Sequence, residues 1–150
     1  NTKIIDIVYE LQSFNIKVDV HDEWASPIEV QKEYGLNMLS DLSRYKYDAI
    51  ILDPPKYGRG PNGEKWELQK DLPILLNLLP QILSKNPLFV ILNSYAIRSS
   101  YSSLHYALRE VMKSYKGKVE SGEISIFEDQ DDPREISTAI FARWESKEIN

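Results

Sequence analysis

The residues that most constrain this chain are Asp53-Pro54-Pro55-Lys56-Tyr57-Gly58-Arg59-Gly60-Pro61-Asn62-Gly63-Glu64, because they follow the apolar run Tyr47 to Leu52 without a break. That run reads as a strand. A carboxylate at its carboxyl end stands where open α/β sheets collect ligands, in the crevice outside the strand ends. Two prolines fix the backbone angle and glycines follow, so the segment leaving the strand is an exposed loop of set shape. The plain alternative is an ordinary turn, since proline and glycine also punctuate loops that carry no chemistry.

With 150 residues, 42% of them hydrophobic and 11% aromatic, the chain is expected to form one globular domain over residues 1–150. It contains no cysteine, which excludes disulfides, thiolate metal sites and cysteine nucleophiles and is compatible with a cytoplasmic location. No apolar run approaches the length of a membrane span. The chain starts at Asn1, with neither an initiator methionine nor a charged-then-apolar leader, as an excised or engineered segment would. A net charge of -5 disfavours broad attachment to a nucleic-acid backbone. Local charge differs: Lys56, Arg59 and Lys65 surround the proline loop and Arg98 follows a later strand end, whereas Glu128, Asp129, Asp131 and Asp132 gather at a hairpin tip. A solvated mixed surface gives the same pattern.

Ile4, Ile5, Val8 and Leu11 recur at helical spacing after Thr2, a candidate N-cap, and Asn15 suits a left-handed stop. Ile16, Val18 and Val20 alternate with polar residues and predict a strand ending at His21 and Asp22. Ser26 and Glu29 form a capping box around Pro27, with Gly35 closing that helix. Leu36 to Leu39 suggests a short strand. Leu72, Leu75, Leu76, Leu79, Ile82 and Leu83 mark one helix face with Pro73 in its first turn, and Pro80 is expected to kink or end that helix. Leu88 to Leu92 predicts a buried strand ending in Asn93-Ser94-Tyr95, and Leu104, Leu108, Val111, Met112 and Tyr115 a further helix. Val119 to Phe127 and Ile136 to Trp144 predict an antiparallel hairpin turning near Pro133. The order implies a Rossmann-like α/β/α sandwich with a mostly parallel sheet and a C-terminal antiparallel hairpin. His21 and His105 have no cysteine or second histidine near in sequence, so a metal site is not expected. Trp144 reads as core, Trp66 as packing under the proline loop and Trp24 as facing a ligand.

From about Tyr47 to Glu145 the chain resembles the catalytic half of class I S-adenosylmethionine-dependent methyltransferases of the ribosomal-RNA type. Three stretches carry the resemblance: the proline loop, Pro87-Leu88-Phe89-Val90-Ile91-Leu92-Asn93-Ser94-Tyr95, and Ile140-Phe141-Ala142-Arg143-Trp144-Glu145. It implies a donor-side and catalytic role for Asp53, Pro54 and Pro55, with Asp53 and the Pro54 carbonyl accepting hydrogen bonds from a target amine. It further implies that Lys56, Tyr57, Arg59, Asn93, Ser94 and Tyr95 line an RNA substrate site. Where the amino-methylating signature has an aromatic directly after the prolines, this chain has Lys56 and then Tyr57. From Asn1 to about Leu52 it resembles instead the C-terminal, UDP-sugar-binding domain of nucleotide-sugar dehydrogenases, through Asn1-Thr2-Lys3-Ile4-Ile5-Asp6-Ile7-Val8, Val18-Asp19-Val20-His21-Asp22-Glu23-Trp24-Ala25 and Tyr47-Asp48-Ala49-Ile50-Ile51. Family members commonly read D-P-W at Asp22-Glu23-Trp24. The two halves, residues 1–52 and 53–150, together read as a chimera.

The methyltransferase fold implies a central first strand whose glycine-rich turn holds the amino-acid part of the donor, and an acid after the second strand on the donor ribose. Asp22 fits the acid. Nothing in the chain supplies the glycine turn, which implies impaired donor binding or an inert hybrid. Strands pair about 4.8 Å apart, so a lost central strand leaves unpaired amides and carbonyls costing ~1–3 kcal/mol each if buried. Either the strands beginning near Ile16 and Tyr47 close the gap, or a second copy fills it, making a homo-oligomer, or the domain is a truncated piece.

Overall fold

The structure, a computed structural model, describes residues 2–60, 63–129 and 134–147. The chain packs as two compact units, residues 1–42 and residues 43–150.

In the first unit, α1 (Thr2–Ser13) starts at Thr2 itself. It stops at Asn15, whose φ of 58° is left-handed, and the Ile16 amide returns to the Leu11 carbonyl at 3.2 Å. Helix α2 (Pro27–Tyr34) shows the expected caps. The Ser26 side chain accepts from the Glu29 amide at 3.4 Å, and Gly35, at φ 66°, donates to Gln31. The two strands expected around these helices do not form. Of Ile16–Val20 and Leu36–Leu39 only a single parallel bridge, Val20 to Met38, is present. Alternation of apolar residues makes a segment suited to a ladder, but the ladder needs a partner of matching length. Here the Leu39 amide to the Val20 carbonyl, 2.8 Å, is the bond that ties the two segments.

The second unit holds a four-stranded sheet in the order β1-β4-β6-β5: β1 (Ala49–Leu52), β4 (Phe89–Ser94), β6 (Glu135–Ser146) and β5 (Gly117–Phe127). Strands β1 and β4 are parallel, joined through α3 (Leu68–Ile82), while β6 runs antiparallel to both β4 and β5. The expected α/β class with a C-terminal hairpin is therefore present. Of the expected hairpin tip, Glu128 pairs with Arg134, and Asp131, Asp132 and Pro133 lie outside the described residues.

Helices α3 and α4 (Tyr101–Val111) share one sheet face. Leu72, Leu76 and Leu79 of α3 and Leu104 and Leu108 of α4 bury against Val90, Leu92, Ala142 and Trp144. Each fully buried leucine contributes about 1.5–3 kcal/mol, so this stripe dominates the stability of the unit. Helix α3 departs from expectation at both prolines. It begins at Leu68 rather than near Leu72, which puts Pro73 in the second turn, and it runs through Pro80 to Ile82. The earlier start is held by the Asp71 carboxylate, which accepts from the Glu67 amide at 2.6 Å. Pro80, in the last turn, offers no amide to the Leu76 carbonyl, and burial of Leu76 and Leu79 in the core holds the helix across it. Trp144 is core, as expected, with Tyr115 edge-on at 6.0 Å. Among the described residues no helix is long and apolar enough to cross a membrane.

Candidate functional site

Strand β1 delivers Asp53, half-buried, directly to the carboxyl end of the β1–β4 parallel pair, followed by buried Pro54 and exposed Pro55. The proline segment is held from behind. The Trp66 indole donates to the Pro55 carbonyl at 2.6 Å, and the Leu68 amide, opening α3, donates to the Lys56 carbonyl at 3.1 Å. Trp66 thus packs on the loop as expected.

What reads as one long loop contains a small hairpin, β2 (Tyr57–Arg59) against β3 (Lys65–Glu67), with Gly58 opposite Trp66. The signal for it was available: Gly60 to Gly63 is a turn composition between two short extended stretches. The Gly63 amide returns to Gly60 at 3.1 Å, and Pro61 and Asn62 lie outside the described residues. Arg59 turns back on its own strand, donating to the Tyr57 hydroxyl at 2.9 Å and holding a half-exposed tyrosine ring in place.

Beside β1, strand β4 ends in Asn93, Ser94 and Tyr95. Successive strand residues face opposite ways, so Ser94 shares the helix-covered face with Val90 and Leu92 while Asn93 faces the other side. Ser94 is 1% exposed, and among the described residues its hydroxyl has no hydrogen-bond partner. Tyr95 is exposed. The next residue, Ala96, takes a left-handed φ of 54°, a conformation that costs an alanine of order 1 kcal/mol and occurs where the surrounding structure fixes it. This turn carries the chain past Ile97 and Arg98 to Ser100, which caps α4 by accepting from the Ser102 amide at 3.2 Å.

These stretches enclose a cavity of about 520 Å³, lined among others by Lys56 and Tyr57 from the loop, Leu68 and Leu72 from α3, and Arg98 and Leu104 from the β4–α4 segment. Of the residues singled out in the sequence, the structure places Lys56 and Tyr57 in its wall. Asp53, Pro54, Pro55, Arg59, Asn93, Ser94 and Tyr95 stand outside that lining. Gln69, Ser99 and Ser103 also line it and carried no local signal.

In the first unit, Asp22 is exposed and one carboxylate oxygen accepts from the amides of Trp24 and Ala25, at 2.8 and 3.3 Å. His21 bonds the Leu39 carbonyl through Nδ1 at 2.6 Å and in the second unit His105 bonds the Ser121 hydroxyl at 3.1 Å, so both rings have structural partners. Among the described residues no group of three or more histidine, aspartate or glutamate side chains is placed to hold a metal ion.

No family model matches the chain. A 52-residue segment, 35% of the chain, is 46% identical to UDP-N-acetyl-D-glucosamine 6-dehydrogenase of Salmonella typhi and 48% identical to the protein of that name from Pseudomonas aeruginosa, in each case over 12% of the relative's length. Among solved structures the chain is similar to a SAM-dependent methyltransferase from Agrobacterium tumefaciens, with 40% identity and a TM-score of 0.65. That similarity covers 81% of this chain and 38% of the other, so the chain spans well under half the length of this methyltransferase and of the two dehydrogenases. Likeness to both a methyltransferase and a dehydrogenase within 150 residues fits the composite sequence read from its motifs.

Proposed function

We propose that this chain carries the acceptor-facing part of an S-adenosylmethionine-dependent methyltransferase site that works on an RNA base. The observation that carries this reading is Asp53-Pro54 at the carboxyl end of β1, beside parallel β4, in a chain 40% identical to a methyltransferase of known structure. RNA as the acceptor comes from the likeness of the proline loop to the ribosomal-RNA group.

The residues present fit the donor only in part. Asp22 offers an exposed carboxylate for a ribose diol, with one oxygen already engaged by two backbone amides. The six glycines stand at 35, 58, 60, 63, 117 and 122, and none opens a helix after a strand, so the chain has no glycine turn for the donor's amino-acid end. The donor, when bound, would supply an electrophilic methyl group. What this chain's residues do is hold the acceptor. Asp53 and the Pro54 carbonyl accept hydrogen bonds from an exocyclic amine and orient its lone pair. Trp66 engages the Pro55 carbonyl and so keeps the second proline from rotating. Methyl transfer by the chain alone is expected to be impaired.

Isothermal titration of the chain with S-adenosylhomocysteine, with UDP in parallel, tests the reading. Micromolar adenosyl binding that is lost in Asp53→Ala supports it. The 52-residue dehydrogenase match favours a second reading, a UDP-binding segment, and heat from UDP alone supports that one. No heat from either ligand in a chain that still unfolds cooperatively sinks both.

A further inference from the structure

The cavity between the proline loop and the starts of α3 and α4 has a floor and a rim of different chemistry. Leu68, Leu72 and Leu104 form a buried apolar floor. At the rim stand Lys56 and Arg98, both exposed, and among the described residues neither side chain makes a hydrogen bond or an ion pair. Around Arg98 the sequence Arg98-Ser99-Ser100-Tyr101-Ser102-Ser103 puts the hydroxyls of Ser99 and Ser103 in the same wall. The one carboxylate lining the cavity, Glu67, is already engaged by Lys70 at 2.6 Å, so it does not cancel the two cations. Tyr57, half-exposed and held by Arg59, adds an aromatic face.

We infer that this cavity binds a nucleotide through its phosphate, with Lys56 and Arg98 on the phosphate oxygens, Ser99 and Ser103 donating hydroxyl hydrogens, and the Tyr57 ring against the nucleoside. Three observations carry this inference. Two cations and two hydroxyls line one cavity, a donor set that suits a tetrahedral group with several acceptor oxygens better than a planar carboxylate. A volume of about 520 Å³ lies in the range that encloses one small ligand. The chain's net charge of -5 works against tracking an extended polyanion, so the contact is one nucleotide deep rather than a groove along a strand. The role of this nucleotide as part of the methyl acceptor rests on the function proposed above; its binding does not.

The test is titration of the full chain with guanosine 5′-monophosphate, guanosine and inorganic phosphate, followed by amide chemical shifts in the absence of any methyl donor. The expected result is shifts at Lys56, Leu68 to Leu72 and Ile97 to Leu104 with the monophosphate, binding at least roughly tenfold tighter than guanosine, and competition by inorganic phosphate. R98Q and K56Q each weaken the monophosphate roughly tenfold and leave guanosine unchanged. R109Q, which removes an exposed cation stacked on Tyr106 outside the cavity, changes neither. Equal affinity for guanosine and its monophosphate, shifts confined to other residues, or wild-type affinity in a folded R98Q chain overturns the inference. Absence of S-adenosylhomocysteine binding together with retained monophosphate binding removes the methyltransferase reading and leaves the phosphate site standing.

Discussion

Gly117→Ala is the substitution whose effect follows most directly from the structure. Gly117 opens β5 opposite Ser146 of β6, and a methyl group there would lie well inside contact distance of the Glu145 carbonyl oxygen and 2.5 Å from Cζ2 of Trp144. Neither neighbour gives way easily. The carbonyl belongs to the β5–β6 ladder, and the indole is 3% exposed, packed in the main core with Tyr115 at 6.0 Å. Restoring ordinary contact needs a shift of roughly 1 Å in a strand or a core ring, and overpacking of that kind costs about 1–3 kcal/mol. Replacing glycine by alanine recovers roughly 0.4–1 kcal/mol from the unfolded chain, leaving a net loss of about 1–2 kcal/mol. For a unit of this size that lowers Tm by roughly 4–10 °C. Thermal and urea unfolding followed by circular dichroism measure it, with near-ultraviolet bands reporting the displaced indole. Gly122→Ala is the internal control, since its added carbon meets Phe141 Cε1 at an ordinary 3.4 Å and is expected to change stability by under about 0.5 kcal/mol. Equal stabilities of Gly117→Ala and wild type, or equal losses from both substitutions, would refute the packing argument.

Two further outcomes are expected. Trp66→Phe keeps the ring but removes the bond to the Pro55 carbonyl, so it should cost about 0.5–1.5 kcal/mol and speed amide exchange at Lys56 and Tyr57 while the α4 amides stay protected; unchanged exchange at those two residues would mean the loop is held by something else. Glu120 has its pKa lowered, first by the hydrogen bond from Lys118 and then by that from Arg143, so its stabilisation is present above the ordinary carboxylate range and is lost as pH falls through the lowered value. The Tm gap between wild type and Glu120→Gln should therefore close on acidification and shrink with added salt, and a gap that holds constant down to strongly acid pH would contradict the assignment.

Much of the second unit, and the helix ends of the first, was legible because the signals are local. The run Tyr47 to Leu52, the leucine stripe of α3 and the alternation from Ile136 to Trp144 each state their own structure, and Asn15, Ser26 and Gly35 mark helix ends through backbone angles and caps that depend only on near neighbours. The failures depend on partners far along the chain. Ile16 to Val20 has strand alternation, yet forms one bridge, since pairing is decided by the neighbour and not by the segment. Pro73 and Pro80 lie within a helix because the leucines around them are buried against β4 and β6, and that burial outweighs two missing amide donors. The cavity was the least legible feature. Its wall joins residues from three separate stretches, and Gln69 or Ser103 carries no mark of that convergence. On β4 the sequence grouped Asn93, Ser94 and Tyr95, whereas the pleat turns Asn93 away from Ser94.

Ser94 and Ala96 stand at the end of β4, just before the residues that line the cavity. Ser94 is a buried hydroxyl without a partner among the described residues, and burying such a group uncompensated costs about 1–3 kcal/mol. Ala96, two residues on, holds a left-handed backbone that glycine would adopt without cost. Ser94 ends β4 and Ala96 lies in the short connection that brings Arg98 and Ser99 to the cavity wall, at the same end of the sheet as Asp53. A segment under no demand beyond linking β4 to α4 would be more stable with alanine at 94 and glycine at 96. Replacing Ser94 by alanine should raise stability while leaving monophosphate binding intact, because Ser94 is buried and is not among the residues that line the cavity.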